Sequence, residues 1–202
     1  MIKIDLQTQT LQKLRHLINP QKNNSYDFLG YTLDLETGAI SDKLSSNPAG
    51  NLSDKQIQII AILLSHYSLA NPTPLSGKLV KFKDIQGGYA YEGAFNQRAI
   101  QPIAEVFGED PEELPEAAKL LGGLRLNLGE FSVELTALKG IPLTYILWAA
   151  GEFPASASIL YDKSASNYLP TEDLAVLGEL TTNRLIEAKQ FLKKISRATL
   201  ES

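Results

Sequence analysis

The stretch LRLNLGEFSVELTALKGIPLTYILWAAGEFPASASILYD, Leu124 to Asp162, carries the clearest structural pattern in the chain. LRLNLGEFSVELTAL alternates apolar and polar residues on either side of Gly129-Glu130, the pattern of two antiparallel strands around a tight turn. PLTYILWAA and ASASILYD supply two further strands, joined through a turn at Gly151–Pro154. Trp148 in the first of these reads as a core residue whose indole N–H finds a carbonyl.

Helical signals lie on both sides. Downstream, Leu174, Leu177, Thr181, Ala188, Phe191 and Ile195 recur at helical spacing, predicting a long helix over about 171–195. Thr171 is placed as its N-cap, and Glu172 and Asp173 suit the positive end of its dipole. Upstream, DPEELPEAAKLLGG forms a short helix closed by Gly122. Before it, a helix through Phe95, Ala99, Ile103 and Val106 must accommodate Pro102, so a break or kink is expected near Arg98. KLVKFKDI, Lys78 to Ile85, alternates like a half-buried strand. Ser53 and Gln56 form a capping box ahead of Ile57, Ile59, Ile60, Ile62, Leu63 and Leu64, which predicts a central, buried helix. The N-terminal part gives an amphipathic helix ending at Asn19-Pro20, a KNNS loop and a strand or hairpin in YDFLGYTLDLETGAIS. SDKLSSNPAGN, Ser41 to Asn51, reads as a flexible linker. Strict strand–helix alternation is lacking, so the expectation is α+β: one domain over 1–202, its mainly antiparallel sheet packed on the central helix and the C-terminal helix.

Composition narrows the chemistry. With 44% hydrophobic and 21% charged residues the chain has globular composition. Net charge of −4 and the lack of a basic stripe argue against a nucleic-acid partner. The absence of cysteine excludes disulfides, thiolate nucleophiles and protein-ligated iron–sulfur clusters within the chain. No apolar run approaches the ~20 residues of a membrane span, and MIKIDLQTQTLQKL is not signal-like. The expectation is a soluble, cytoplasmic protein without a membrane partner. No metal site and no cofactor is indicated: neither His16 nor His66 has a ligating neighbour, and His66 reads as a structural histidine.

Two polar loops are candidate sites. GGYAYEGAFNQR, Gly87 to Arg98, follows a strand with two glycines and precedes a helix. Tyr89, Tyr91 and Arg98 there have the stacking and anion-pairing chemistry of an anion or carboxylate pocket. Neither a dinucleotide fingerprint nor a P-loop is present. The same residues also suit a tight turn with edge-packed tyrosines. After the last strand, Asp162, Ser164, Asn167 and Tyr168 could contact a ligand, or could bond the backbone of their own loop.

GGYAYEGAFNQRAIQPIAEVFG, AAKLLGG and PLTYILWAAGEFPASASILYDKSASNYLPTEDL together resemble an uncharacterised prokaryotic family known only as a domain of unknown function. The likeness runs from about Asn51 to Leu192. It implies a compact domain and carries no activity or catalytic residue. Some relatives hold a cysteine-rich iron–sulfur segment beside the domain, which this chain lacks. Relatives are also more acidic where this chain has Ala149-Ala150-Gly151. Three functions remain open. The first is a binding or accessory protein contacting a small anionic ligand or a protein partner. The second is an enzyme with Arg98 as anion binder and Asp162 or Glu152 as acid/base. The third is a purely structural interaction module.

Overall fold

The computed structural model of the protein describes residues 2–20, 24–45 and 52–200. The chain runs β1 (Ile2–Lys3), α1 (Thr8–Ile18), β2 (Ser25–Phe28), β3 (Tyr31–Asp34), β4 (Ala39–Asp42), α2 (Asp54–Tyr67) and β5 (Leu79–Lys81). It continues through α3 (Glu92–Phe95), α4 (Gln101–Phe107), α5 (Glu113–Leu120), β6 (Leu124–Leu126), β7 (Phe131–Leu138), β8 (Ile141–Trp148), β9 (Ser156–Asp162) and α6 (Thr171–Leu200). The strands form two sheets, ordered β1-β4-β3-β2 and β5-β9-β8-β7-β6, and every pairing is antiparallel. The fold is α+β.

Alternation along Leu124–Asp162 does what its pattern predicts. Val133, Leu135, Leu143, Tyr145, Leu147, Ile159 and Tyr161 point to one face and are at most 1% exposed. Burying each such side chain is worth roughly 1.5–3 kcal/mol. α4 and α5 pack on this face, and α6 meets it at Tyr145 and Tyr161. The long helix is joined to the sheet through two phenols: Tyr161 donates to the Leu174 carbonyl at 2.8 Å, and Tyr145 bonds Thr182 at 3.3 Å. Burial pushes both phenols above their ordinary pKa, so they stay neutral. Gly178 allows the close approach, since a Cβ there would lie 2.4 Å from the Tyr161 hydroxyl.

Several expectations change. Trp148 is not core: it shares a face with Thr144 and Ile146, turned away from the helices, and is 40% exposed. That face also bares Leu79 and Leu124. α2 has its capping box at Ser53 and Gln56, but is not the central helix. It buries Ile60, Leu63, Leu64 and Tyr67 while Ile62 faces out, because an isoleucine-rich surface does not need burial all round when only one side meets neighbours. The helix buried on most sides is α6. Thr171 is not its N-cap; the hydroxyl donates to the Gln86 carbonyl at 2.6 Å. β5 stops at Lys81, where a 3₁₀ turn over Phe82–Asp84 tucks Phe82 against Phe95.

Pro102 has the predicted local effect. Lacking an N–H for the Arg98 carbonyl, it is preceded by a π turn over Asn96–Ile100, in which the Gln101 N–H donates to the Asn96 carbonyl. Gly122, at φ +82°, and Gly123 close α5 with backbone bonds to Lys119 and Ala118. Ser41 and Asp42, assigned to the linker, belong to β4; residues 46–51 of that segment lie outside the described residues, as do Lys22 and Asn23 of the KNNS loop.

Candidate functional site

Six of the seven predicted site residues separate into two groups with different duties. Asp162 is buried, and its carboxylate accepts hydrogen bonds from the backbone N–H groups of Ser76, Gly77 and Ser164 at 2.9, 2.7 and 2.8 Å. It also accepts from the Ser76 and Ser164 hydroxyls at 2.8 and 2.6 Å. Burial alone would push the carboxyl up, but the Ser164 and Ser76 donors outweigh it and hold it well below the usual carboxylate range. Tyr168 stacks on Tyr67, donates to the Thr73 carbonyl at 2.7 Å and covers Gly140 so closely that a Cβ there would meet its hydroxyl at 2.4 Å. Asn167 donates to the Thr73 hydroxyl at 3.0 Å. Asp162, Ser164, Asn167 and Tyr168 thus fasten the proline-containing segment 72–77 to the end of β9.

Tyr91 and Arg98 belong elsewhere. They border a cavity of about 200 Å³ against the first turns of α6, with Phe95, Glu172, Val176 and Glu179. Tyr91 donates to the Glu172 carboxylate at 3.1 Å, which raises the phenol pKa. Arg98, Val176 and Glu179 are shared with a second cavity of about 540 Å³ that continues along α6 to Gln190, bounded by Lys55, Gln56 and Ile59 of α2. Gln56, Glu187 and Gln190 lead on to a third, of about 250 Å³, beside Asp42 and Leu52. The three form one groove. Its floor spans Glu172 to Lys194, which at 1.5 Å per residue is roughly 33 Å of helix. Tyr89 is 79% exposed and lines none of these cavities; Glu152 is exposed in the β8–β9 turn.

The acid/base arrangement of the enzyme reading is not assembled. Asp162 is committed to Ser76, Gly77 and Ser164, and neither it nor Glu152 borders the Arg98 groove.

Residues 26–184 match the family described as Domain of unknown function (DUF3786). The chain belongs to this family. No curated protein and no solved structure matches it. The DUF3786 match takes in β2, β3 and β4, ahead of the Asn51 start inferred from sequence. It contains every predicted site residue as well as most of the groove floor.

The sequence reading missed two features of this DUF3786 chain. Along α6, Glu172, Val176, Glu179, Asn183, Ile186 and Gln190 recur every three or four residues, a second face beside the buried one. Arg184 lies within the buried face, four residues before Ala188, and is 1% exposed. Its guanidinium grips both Asp42 oxygens at 2.6 and 3.2 Å, donates to the Leu29 carbonyl at 2.9 Å and lies 4.0 Å from the centre of the Tyr31 ring. A charge inside an apolar stripe was the available signal. Arg184 ties α6 to the N-terminal sheet, and its pKa is raised: burial opposes the charge, but the Asp42 carboxylate more than offsets it. His66 bonds the Asp173 carboxylate at 2.6 Å. Among the described residues no group of three His, Asp or Glu converges as metal ligands would, and no helix is long and apolar enough to cross a membrane.

Proposed function

We propose that this DUF3786 protein is a cytoplasmic binding or accessory protein. Its groove along α6 receives the anionic group of a small ligand or of a partner protein at Arg98. One observation carries this reading. Arg98 is exposed where two cavities meet, and among the described residues its guanidinium has no hydrogen bond or ion pair, whereas Arg125 and Arg184 are both paired with carboxylates. A guanidinium offers five donors in a planar fork suited to carboxylate or phosphate. Val176 and Ile186 on the groove floor provide apolar contact, and Glu179 beside Arg98 holds the affinity for a small anion alone to the millimolar range.

The test is an NMR titration with inorganic phosphate and with succinate. Saturable shifts confined to Arg98 and residues 172–190, lost in Arg98→Ala at unchanged melting temperature, are the expected result. Shifts that persist in Arg98→Ala, or none at 20 mM of either anion (roughly the mM scale of a single rim contact), reject it.

A further inference from the structure

A second surface lies at the other side of α3, where β5 leaves the five-stranded sheet early. β5 covers only Leu160–Asp162 of β9, leaving Ser156–Ile159 as an edge. Hydrogen-bond parity identifies the groups that edge presents. The Lys163 N–H donates to the Lys78 carbonyl, so residues 163, 161, 159 and 157 direct their backbone groups toward β5, and 160, 158 and 156 toward β8. Opposite Ile159 the next strand residue would be Phe82, but Phe82 has turned into the 3₁₀ segment and accepts from Ile85 instead. The N–H and C=O of Ala157 therefore lie beyond the last β5–β9 pair, with no strand beside them.

The edge is not bare surface. It opens into a cleft of about 390 Å³ with two unlike sides. On the helix side are Phe95 and Ile100, apolar, beneath Ile159. On the opposite side stands Lys81, whose partner across the ladder is Leu160, on the face away from the helices; it has no ion pair among the described residues. Lys83 completes the rim, 3.6 Å from Glu92. A strand added here would alternate, one residue toward Phe95 and Ile100, the next toward Lys81.

We propose that this edge binds an extended segment of a partner protein with alternating acidic and apolar residues, which adds to β9 as a short antiparallel strand collinear with β5. The backbone of the segment pairs with Ala157, its apolar side chains enter the cleft, and its carboxylates meet Lys81 and Lys83. Main-chain bonds supply affinity and the two sides of the cleft supply selectivity, as in strand addition generally. A second copy of this chain is the poorer occupant, since the edge it would offer is flanked by the same lysines.

The probe is an acetylated, amidated hexapeptide alternating glutamate with valine, followed by amide hydrogen exchange on the full chain. Saturable binding is expected to slow exchange at Ala157 at least about tenfold, with no change at Leu160 or Ser158, which already bond β8. The Lys81→Glu, Lys83→Glu double variant is expected to lose about tenfold in affinity and to keep its melting temperature. Ala157→Pro, which removes an N–H that no strand uses, abolishes binding and leaves β8–β9 pairing intact. Arg98→Ala has no effect, which separates this edge from the α6 groove. Equal protection by a lysine–valine peptide, no protection with 2 mM glutamate–valine peptide, or peptide-independent protection that grows with protein concentration overturns the proposal; the last outcome assigns the edge to self-association.

Discussion

Replacing Asp162 with asparagine tests whether this carboxylate is a fastener. The amide would present one acceptor oxygen and an NH₂ in place of two acceptor oxygens. The Gly77 N–H, now 2.7 Å from Oδ2, would face a donor in place of an acceptor. A buried donor left unmet costs about 1–3 kcal/mol. The four bonds at Oδ1 would change from charge-assisted to neutral, each losing roughly 0.5–1 kcal/mol. Because these bonds share one oxygen the losses do not add fully, and the expected total is about 3–4 kcal/mol at neutral pH.

Its pH dependence provides an independent check. The folded-state pKa of Asp162 is depressed below the ordinary ~3.9 of an unfolded chain, so its contribution is complete above that value and declines as pH falls toward the folded pKa. Asparagine does not titrate. The stability gap between the two proteins is therefore constant from pH ~7 to ~5, and narrows by about 1.4 kcal/mol for each unit below ~3.9. Urea denaturation at pH 7, 5 and ~2.9 measures it. A gap below about 1 kcal/mol at pH 7, or one that stays the same at pH ~2.9, would falsify the fastener role.

Three further outcomes follow from the packing. Arg184→Met leaves Asp42 without its buried partner, and urea denaturation should show a loss of about 3–5 kcal/mol. Gly178→Val drives a branched side chain into Tyr161 and Phe95, 2.4 and 2.6 Å from the Cβ position, so a loss of at least about 3 kcal/mol, or failure to fold, is expected in thermal and chemical denaturation. Glu113 is ion-paired with Lys189 and Lys193; burial raises its pKa, but the two ammonium groups lower it further, giving a net depression. Its contribution is therefore present above the unfolded value of ~4.3 and lost as pH falls through the folded one, and Glu113→Gln should destabilise by about 1–2 kcal/mol at pH 7 and less at low pH.

Much of this protein is written in local pattern. Period-two alternation from Leu124 to Asp162 carries the antiparallel sheet; the Ser53–Gln56 box, Gly122 and Pro102 set helix ends and the π turn, because each acts through backbone atoms a few residues away. The candidate site did not follow from such signals. Asp162 and Arg98 both looked like site residues, since a polar side chain in a loop has the same sequence appearance whether it is saturated or free. Only the tertiary structure brings Ser76 and Gly77, more than 80 positions away in sequence, to fill the Asp162 carboxylate while leaving Arg98 in an open groove. Trp148 and α2 show the same limit for burial: hydrophobicity says a residue can be buried, but which face is covered depends on the elements packed against it. Short-range backbone and periodicity constraints, all readable in the sequence, suffice for the α+β class, the element types and most of their ends. Which helix lies at the centre, which polar groups are consumed in holding loops, and which remain to meet a partner are set by tertiary packing, because those outcomes depend on contacts between residues far apart in the chain.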